Sequence, residues 1–371
     1  MLFTAVQYNR SVKRWDVVIV GAGVIGLALG WRLRHVGLGV LIIDKGEPGR
    51  ESSYAAGGMI AYCDPHLPKA LQPLAFASAA MYPDFVHEVQ DESGESPDLR
   101  QQGTLAFLPH RERPDCDGCR EINFEELEGL EPALRRSPNL RERRTFWLPE
   151  SSVDPRALCG ALLKAAKHLG VDLVTGSTVT EVEVENGRAV GVTAGHSAYH
   201  AQVVVNCAGA WAGQIPPLPL PTRPAKGQMV CVVPGPDMKS EIPIVQHVIR
   251  AAEVYLIPRS DRRILLGATL EDAGFDKRTD ANTIETLYRA AADICPAIGG
   301  MRIHDAWAGL RPASPDKLPI MGETSLSGYF AATGHYRDGI MLAPITAEIM
   351  SQLITGRQTT FNLQPFSPGR F

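Results

Sequence analysis

The sequence predicts an α/β fold, with a Rossmann-like domain and a second α+β domain built on a mainly antiparallel β-sheet. Two observations predict it. Residues 15–44 have the pattern of a complete βαβ unit, in which an apolar strand leads into a glycine-rich turn, a helix and a second strand. Strand-like apolar segments of the same kind return at 203–207 and 329–332, so the simplest arrangement is one parallel sheet assembled from three separated parts of the chain. The β-rich material at about 91–147 and 224–305 then forms the second layer.

The turn after the first strand is the strongest local signal. Gly21, Gly23 and Gly26 follow the β-branched run at 17–20 with the spacing G-x-G-x-x-G. The first glycine permits the tight turn, the second lets a phosphate approach the backbone, and the third lets the helix lie close to the strand. The helix N-terminus offers free N–H groups to a pyrophosphate. Asp44 follows the next strand, 18 residues after Gly26, where a carboxylate normally holds an adenosine ribose hydroxyl. The alternative is a glycine-rich turn in some other α/β protein, which leaves the position of Asp44 to chance.

Capping and turn residues predict two further elements. Asp154 and Pro155 are a natural N-cap and first residue for a helix at 156–169. Asn186 and Gly187, between two alternating runs, predict a β-hairpin. Apolar runs predict helices at 69–90 and 282–294 and strands at 100–109, 203–205, 229–233, 254–257, 264–267 and 329–332. The glycine-containing loop at 334–339 leads into a final helix at 339–353, and the charged stretch at 112–145, with its Glu-Leu-Glu alternation, is predicted to form short surface helices.

Size and charge exclude some classes of protein. The 371 residues suffice for two domains or one large one. A net charge of −4 argues against a nucleic-acid partner, which favours a basic face. The apolar run at 17–33 contains four glycines and two nearby arginines, so it is not interpreted as a membrane helix. Residues 1–14 have no long apolar core and are interpreted as a disordered or edge-strand extension rather than a signal peptide.

The cysteines predict a reducing compartment. The chain has seven, an odd number with scattered spacing, which is typical of reduced thiols in the cytoplasm. Cys116 and Cys119 form the one pair with metal or redox spacing. We interpret that pair as a surface turn, with a metal or disulfide role as the alternative, and we predict no metal site.

Five segments in this order resemble the D-amino acid oxidase-like flavoprotein family, and most closely its glycine oxidase branch. They are residues 17–26 with Asp44, then 52–59, 203–211, 307–312 and 334–344. The resemblance covers nearly the whole chain from 15 to 353 and is weakest at 62–147. It implies an FAD-binding domain at 15–90, 148–223 and 306–371, and a substrate-binding domain at 91–147 and 224–305.

Three positions depart from the family pattern. Asp44 stands where glutamate is common, Gly57 where glycine oxidases often have alanine, and Asp338 where a neutral asparagine is common. These departures leave the substrate range more open than the reaction type.

The resemblance implies FAD, bound without a covalent link. Ser52 and Ser53 are short hydroxyl donors suited to a phosphate, and residues 55–58 have almost no side-chain volume, as a flat ring against the backbone requires. A flexible loop of small residues is the alternative for that stretch. No cysteine lies between 305 and 370, so the thiol with which sarcosine oxidases attach flavin is missing there. The predicted cofactor-binding residues are Gly21, Gly23, Val24, Ile25, Gly26, Asp44, Lys45, Ser52, Ser53, Ala56, Gly57, Gly58, Met59, Val179, Ala208, Gly209, Trp211, Arg311, His335, Arg337, Asp338, Gly339, Ile340 and Met341.

A helix that begins at Gly339, Ile340 and Met341 would aim its N-terminus at the flavin and stabilise the negative charge that develops there on reduction. An ordinary loop between a strand and a helix is the alternative interpretation of that stretch.

The predicted catalytic residues are Arg311, Tyr255, Arg337 and Met59. A guanidinium offers two parallel N–H donors to a carboxylate, and by the resemblance Arg311 captures the carboxylate of the substrate with help from the Tyr255 hydroxyl. Arg337 has a supporting electrostatic role and Met59 lines the pocket. His335 is interpreted as structural rather than as a base, because the cofactor carries the difficult step.

The resemblance implies oxidative deamination of glycine, sarcosine or small D-amino acids by hydride transfer to flavin N5. The products are an imine or oxoacid, ammonia and, from dioxygen, hydrogen peroxide. The alternatives are a D-amino acid dehydrogenase with another electron acceptor, a flavin domain that modifies tRNA, and a flavin-binding protein without turnover. We expect a homo-oligomer with a small amino acid and dioxygen as partners, and neither nucleic acid nor membrane.

Overall fold

A computed structural model describes residues 13–134, 140, 143–236, 238 and 243–371. The helices are α1 Val24–His35, α2 Ser52–Ala55, α3 Gln72–Ser93, α4 Phe124–Leu130, α5 Pro155–His168, α6 Ala281–Ile294 and α7 Ala343–Ile354. The strands are β1 Arg14–Val20, β2 Val40–Ile43, β3 Met59–Ile60, β4 Thr104–Leu108, β5 Arg120–Ile122, β6 Arg144–Leu148, β7 Ser151–Ser152, β8 Asp172–Val174, β9 Val179–Glu185, β10 Arg188–Ala194, β11 Ser197–Asn206, β12 Arg223–Val233, β13 Val248–Arg250, β14 Tyr255–Pro258, β15 Ile264–Gly267, β16 Arg302–Ala313, β17 Ile320–Glu323 and β18 Tyr329–Thr333. Short 3₁₀ helices lie at Pro132–Leu134, Gly209–Gln214, Pro296–Gly300, Gln364–Phe366 and Pro368–Arg370.

The first sheet has the strand order β17-β18-β11-β1-β2-β8, and β10 and β9 continue from β11. The pairs from β18 to β8 along this order are parallel, and β17 is antiparallel to β18. Strands β1, β11 and β18 come from the three separated parts of the chain that the sequence predicted. The α/β fold class with a Rossmann-like sheet is therefore confirmed.

The two faces of β1 are buried against different layers, because side chains alternate along a strand. Val17 and Ile19 pack with the helices α1, α3, α5 and α7. Val18 and Val20 pack with the β9–β10 hairpin on the opposite face. Asn186 and Gly187 connect that hairpin with φ of 48° and 77°, so both lie in the left-handed region that a tight hairpin turn requires. The predicted hairpin is confirmed.

The second sheet has the order β16-β12-β15-β14-β13-β4-β6-β5, and every pair except the parallel β13–β4 is antiparallel. Helix α6 packs on its outer face. Its inner face carries Met229, Ile257, Leu265 and Trp307 and packs with Ala55 of α2. Strand β16 runs through residue 306 without a break, and the predicted domain boundaries stay a prediction.

Helix α5 begins as predicted. The Asp154 carboxylate accepts hydrogen bonds from the backbone N–H of Arg156 at 2.9 Å and of Ala157 at 3.4 Å, and Pro155 occupies the first helical position. Helix α7, by contrast, begins at Ala343, so the predicted start at Gly339 is wrong. Residues 339–342 form a turn in which the Ala343 N–H bonds to the Ile340 carbonyl at 3.2 Å, and the regular helix follows it.

The charged stretch at 112–145 is only partly helical. It contains α4 and a 3₁₀ turn, but β5 and the start of β6 also lie within it. Ile122 of β5 pairs with β6, Phe146 of β6 pairs with β4, and both side chains are buried. The prediction of surface helices alone is therefore wrong. Residues 135–139 and 141–142 of this stretch lie outside the described residues, as do 1–12 of the predicted N-terminal extension.

Cys63 and Cys116 form a disulfide, so the prediction that all seven cysteines are reduced is wrong. The two residues are 53 positions apart, and the fold brings their Cα atoms to 5.4 Å. Cys116 thus pairs with Cys63 rather than with its near neighbour Cys119, which is free. In the described part of the chain no cluster of metal-binding side chains is found. No helix of that part is both long and apolar enough to cross a membrane.

Candidate active site

A cavity of about 910 Å³ lies where the parallel strands of the first sheet end and the inner face of the second sheet begins. Gly21 follows β1, Ala208 follows β11 and His335 follows β18, and all three line this cavity. Tyr255 on β14 and Arg311 on β16 line it from the second sheet. Ligands of open α/β sheets bind at this edge, outside the carboxyl ends of the strands.

The glycine-rich turn closes one end of the cavity. Gly21 has φ of +105°, and a Cβ atom there would come within 2.5 Å of the Cys207 carbonyl oxygen. A Cβ at Gly26 would overlap the Gly21 carbonyl oxygen, so this glycine sets the close contact between helix and turn. Around Gly23 the nearest atom to such a Cβ is Ser53 Oγ at 3.4 Å. The turn therefore leaves the backbone accessible to a phosphate from the cavity side.

Asp44 is engaged with the same turn. One carboxylate oxygen accepts a hydrogen bond from the Ala22 N–H at 2.7 Å, and the other accepts one from the Gly46 N–H at 2.8 Å. Each oxygen keeps a further lone pair for a ribose hydroxyl. Beside it, Lys45 Nζ lies 3.1 Å from the centre of the Trp211 ring, and burial lowers the pKa of this lysine.

Ser52 and Ser53, at the start of α2, both form hydrogen bonds within the protein. Ser53 Oγ accepts the Val24 N–H of the first helical turn at 3.0 Å and can still donate its own proton. Ser52 donates its proton to the Leu310 carbonyl, which ties α2 to β16. Ser53 is therefore the better placed of the two to donate to a phosphate.

The small-residue loop at 55–58 forms one wall of the cavity. A Cβ at Gly57 would come within 2.5 Å of Ile257 Cδ1. At Gly58, whose φ is +78°, a Cβ would overlap the Val153 carbonyl oxygen. Met59 follows on β3 and also lines the cavity. The absence of side chains thus lets this backbone lie directly against the second sheet and the cavity.

Arg311 and Tyr255 meet at the other end of the cavity. The guanidinium of Arg311 donates to the carbonyls of Thr269 at 3.1 Å and of Lys226 at 3.3 Å. Within the described residues, no carboxylate lies within 4.0 Å of it. Burial raises the pKa of Tyr255, although the charge of Arg311 opposes the rise, so this hydroxyl stays protonated at neutral pH. A cation without a counter-ion and a neutral donor beside it can together bind a carboxylate.

Arg337 differs from Arg311 because it already has a counter-ion. Its Nη2 lies 3.2 Å from Asp64 Oδ2, and its side chain is 43% exposed. Burial works against ionisation of Asp64, but Arg250, the His66 N–H and Arg337 together lower its pKa. Arg337 therefore contributes to the potential of the cavity from a neutralised pair at its mouth.

The loop after β18 supplies two titratable groups with opposite shifts. His335 is buried, its Nε2 lies 3.1 Å from Thr346 Oγ1, and burial lowers its pKa to about 3, so it is neutral at physiological pH. This supports a structural rather than a basic role. Burial raises the pKa of Asp338 to about 6, while Arg337 opposes that rise.

Nearly all of the predicted site residues line this one cavity. Gly26 and Met341 do not, since Gly26 lies behind the turn and Met341 is buried with its carbonyl bonded to Ser78. Sequence reasoning missed several lining residues: Asp64, Glu112, Gly227, Met229, Arg250 and Thr269. None of them lies in a recognisable motif. Gly227 lies diagonally across β12 and β16 from Arg311, a relationship that only the strand register shows.

The residues present fit FAD. The cavity contains the glycine-rich turn and the Asp44 carboxylate that a dinucleotide needs, and one of its walls is made of the small residues at 55–58. A side chain at Gly21, Gly57 or Gly58 would disturb this cradle.

Comparison with known proteins agrees with this geometry. A family model described as "FAD dependent oxidoreductase" (DAO) matches residues 16–353. The glycine oxidase of Geobacillus kaustophilus is 33% identical over 371 residues, which cover 95% of this chain and 96% of that protein. The crystal structure of a glycine oxidase from the same organism superposes with a TM-score of 0.87 and 29% identity, covering 96% of this chain and 99% of that one.

A second kind of relative is longer than this chain. The bifunctional protein ThiO/ThiG of Trichormus variabilis is 35% identical over 367 residues, which cover 96% of this chain but 55% of that protein. The chain thus spans about half the length of this relative.

Proposed function

Because the chain belongs to the DAO family of FAD dependent oxidoreductases, we propose that it oxidatively deaminates glycine and other small amino acids, including sarcosine and small D-amino acids. The products are an imine, which hydrolyses to an oxoacid and ammonia, and hydrogen peroxide. One observation carries the proposal: an arginine without a carboxylate partner among the described residues, Arg311, faces the same cavity as the glycine-rich turn. The glycine oxidase relatives support the choice of substrate class.

We propose that the FAD is held without a covalent link by the turn at Gly21 and Gly23, by Asp44, and by the loop at 55–58. When bound, FAD supplies the electron acceptor for a hydride from the α-carbon of the substrate. Ser53 and the N-terminus of α1 would donate hydrogen bonds to its pyrophosphate. Lys45 adds a positive charge beside them.

The substrate is bound through its carboxylate. The Arg311 guanidinium binds the two oxygens in parallel, and the Tyr255 hydroxyl donates a further hydrogen bond. This attachment holds the substrate in the cavity that the loop at 55–58 also lines, so that reaction becomes effectively unimolecular.

No side chain is assigned as a base. His335 is neutral, but its Nε2 is hydrogen-bonded to the Thr346 hydroxyl, so we do not assign it a role in proton transfer. The substrate amine loses its proton before oxidation. This proton passes to solvent through the open side of the cavity. The charge of Arg311 favours loss of that proton, and Arg337, whose charge is offset by Asp64, supports it more weakly.

The proposal is tested with the purified protein, added FAD and a panel of glycine, sarcosine, D-alanine, L-alanine and methylamine. We expect peroxide in air with the first three, and bleaching of the yellow colour by glycine without oxygen. Bleaching without peroxide, together with reduction of an added dye, would show that the protein is a dehydrogenase and not an oxidase. No bleaching with any amino acid would refute the proposed function and leave a flavin-binding protein.

A further inference from the structure

Arg259, directly after β14, is a buried cation that the proposed chemistry does not use. Its side chain is fully buried, and its Nη2 donates a hydrogen bond of 2.6 Å to the Gly57 carbonyl oxygen. In the described part of the chain, Nε and Nη1 have no hydrogen-bond partner. The nearest carboxylate oxygen, Asp154 Oδ2, is 3.9 Å from Nε, and burial lowers the pKa of the guanidinium to about 10. An unpaired buried donor is costly, so an arginine at this place needs an explanation.

The explanation lies in the loop that Arg259 contacts. Four carbonyls at residues 54, 55, 57 and 58, in and next to this loop, accept hydrogen bonds from donors outside the cavity. The partners are Arg156 Nε for Tyr54 at 3.2 Å, Trp307 Nε1 for Ala55 at 3.2 Å, Arg259 Nη2 for Gly57 at 2.6 Å and the Val153 N–H for Gly58 at 2.9 Å. Of these partners, Arg259 has the shortest bond and is the one attached to the strand that also carries Tyr255.

The bond to Arg259 fixes the direction of one peptide group. A trans peptide is planar, so its C=O and N–H point in opposite directions. Since the Gly57 carbonyl points away from the cavity at Arg259, the Gly58 N–H points the other way, into the cavity that Gly58 lines. Neither glycine has a side chain to fix this orientation, and glycine backbone is the most mobile of all.

We propose that Arg259 is a positioning residue, which holds the Gly57–Gly58 peptide with its N–H turned towards the flavin ring and ties that peptide to the strand carrying the substrate-binding Tyr255. The inference rests on the proposed placement of the flavin beside residues 55–58. Ile257 and Tyr255 also approach Gly57, at 2.5 and 3.6 Å from the position of a Cβ, so one strand supports both the cofactor loop and the substrate residue.

The test compares Arg259→Met with Arg262→Met. Arg262 also has a buried Nε without a partner among the described residues, and it donates to a backbone carbonyl, that of Met238 at 3.1 Å, which is not part of the loop. The measurements are the Kd of FAD by fluorescence titration of the apoprotein, the visible spectrum of the bound flavin, and the Tm of the apoprotein. None of them requires a substrate, so a failure of the proposed reaction leaves the test intact.

We expect Arg259→Met to raise the Kd of FAD at least 10-fold and to shift or broaden the visible bands, while its apoprotein Tm stays close to that of Arg262→Met. Arg262→Met keeps the Kd and the spectrum of the wild type. An unchanged Kd and spectrum in Arg259→Met, or an equal loss in Arg262→Met, overturns the proposal.

Arg259→Lys covers the case in which Arg259→Met does not fold. Lysine keeps the charge but has neither the reach nor the fork of arginine. We expect this variant to keep the apoprotein Tm and to bind FAD more weakly than the wild type. Binding as tight as that of the wild type, with an unaltered spectrum, overturns the proposal.

Discussion

The guanidinium of Arg311 occupies the space above Gly227 on the neighbouring strand, where a Cβ atom would come within 2.5 Å of Arg311 Cζ. In the register of β12 and β16, Gly227 pairs with Gly309 and Ala225 pairs with Arg311, so Arg311 reaches diagonally across a site that lacks a side chain. The missing side chain gives the arginine its position in the cavity.

Gly227→Ala should therefore weaken substrate binding without unfolding the protein. The atoms in the way belong to the end of a flexible side chain, which can move aside, whereas the backbone of β12 need not change. We expect KM for glycine to rise about 10-fold, equivalent to ~1.4 kcal/mol, with the Tm and the Kd of FAD near those of the wild type. Steady-state kinetics and an FAD titration measure both effects. A large loss of Tm with KM unchanged would show that the overlap is relieved by the backbone instead.

Arg311→Ala should abolish most of the affinity for the carboxylate. Loss of one partner of a buried charge-assisted pair costs about 2–5 kcal/mol, so we expect kcat/KM for glycine to fall by about two to three powers of ten, chiefly through KM. Arg278→Ala is the matched control, since Arg278 is 88% exposed and bonds only to Asp276 in the described structure. A KM for Arg311→Ala equal to that of the wild type would remove Arg311 from this role.

The sequence predicts elements that depend on local signals. The glycine turn, the Asp154 cap and the Asn186–Gly187 hairpin each lie within a few residues, and each forms as predicted. Their physical causes are a required φ or a nearby backbone N–H, and a few neighbouring residues of the sequence suffice to predict them.

Contacts between distant segments were not predictable in this way. Arg337 and Asp64 are 273 positions apart, and Cys63 and Cys116 are 53 apart. Which partner each residue meets depends on how the two sheets pack, and no spacing rule encodes that packing. Family resemblance supplied Arg311 and Tyr255 but not Gly227 or Arg259. The position of Gly227 beside Arg311 depends on the register of β12 and β16, and Arg259 contacts a loop residue 202 positions away.

Gly26→Ala should damage the nucleotide end of the site, and Gly160→Ala should not. A Cβ at Gly26 would overlap the Gly21 carbonyl oxygen, which is backbone and cannot move without opening the turn. At Gly160, exposed on α5, nothing lies within 4 Å of such an atom. We expect Gly26→Ala to lower Tm and weaken FAD binding at least 10-fold, while Gly160→Ala stabilises the protein by about 0.5–1 kcal/mol through its helix propensity. Equal Tm values for the two variants would contradict the packing of α1 on the turn.

Opening the Cys63–Cys116 disulfide should lower stability. The bond closes a loop of more than 50 residues, from 63 to 116, and such a cross-link contributes about 2–4 kcal/mol by restricting the unfolded chain. We expect Cys63→Ser to lower the Tm of the oxidised protein, and dithiothreitol to lower the Tm of the wild type to a similar value. Cys119→Ser, which changes a free thiol, is the control. A wild-type Tm that is indifferent to the reductant would show that the two thiols are not joined.

Asp338→Asn should stabilise the protein in a pH-dependent way. The pKa of Asp338 is raised to about 6 in the folded state, chiefly by burial, against an ordinary value of 3.8. Between these two values the folded state binds more protons than the unfolded state, so the wild type loses stability as the pH rises through this window and regains it below. Asparagine has the same shape as aspartate but no charge, so the variant does not lose stability as the pH rises through this window.

We therefore expect the apoprotein of Asp338→Asn to exceed the wild type by about 3 kcal/mol in free energy of unfolding at pH 8, with the difference shrinking towards zero at pH 4. Denaturant unfolding at several pH values measures this difference. Asp276→Asn is the contrast, because Asp276 is a surface carboxylate whose pKa is lowered by Arg278, so its removal gives no gain that grows with pH. A difference between Asp338→Asn and wild type that stays constant from pH 4 to 8 would mean that Asp338 is ionised throughout, and that Arg337 outweighs the cost of its burial.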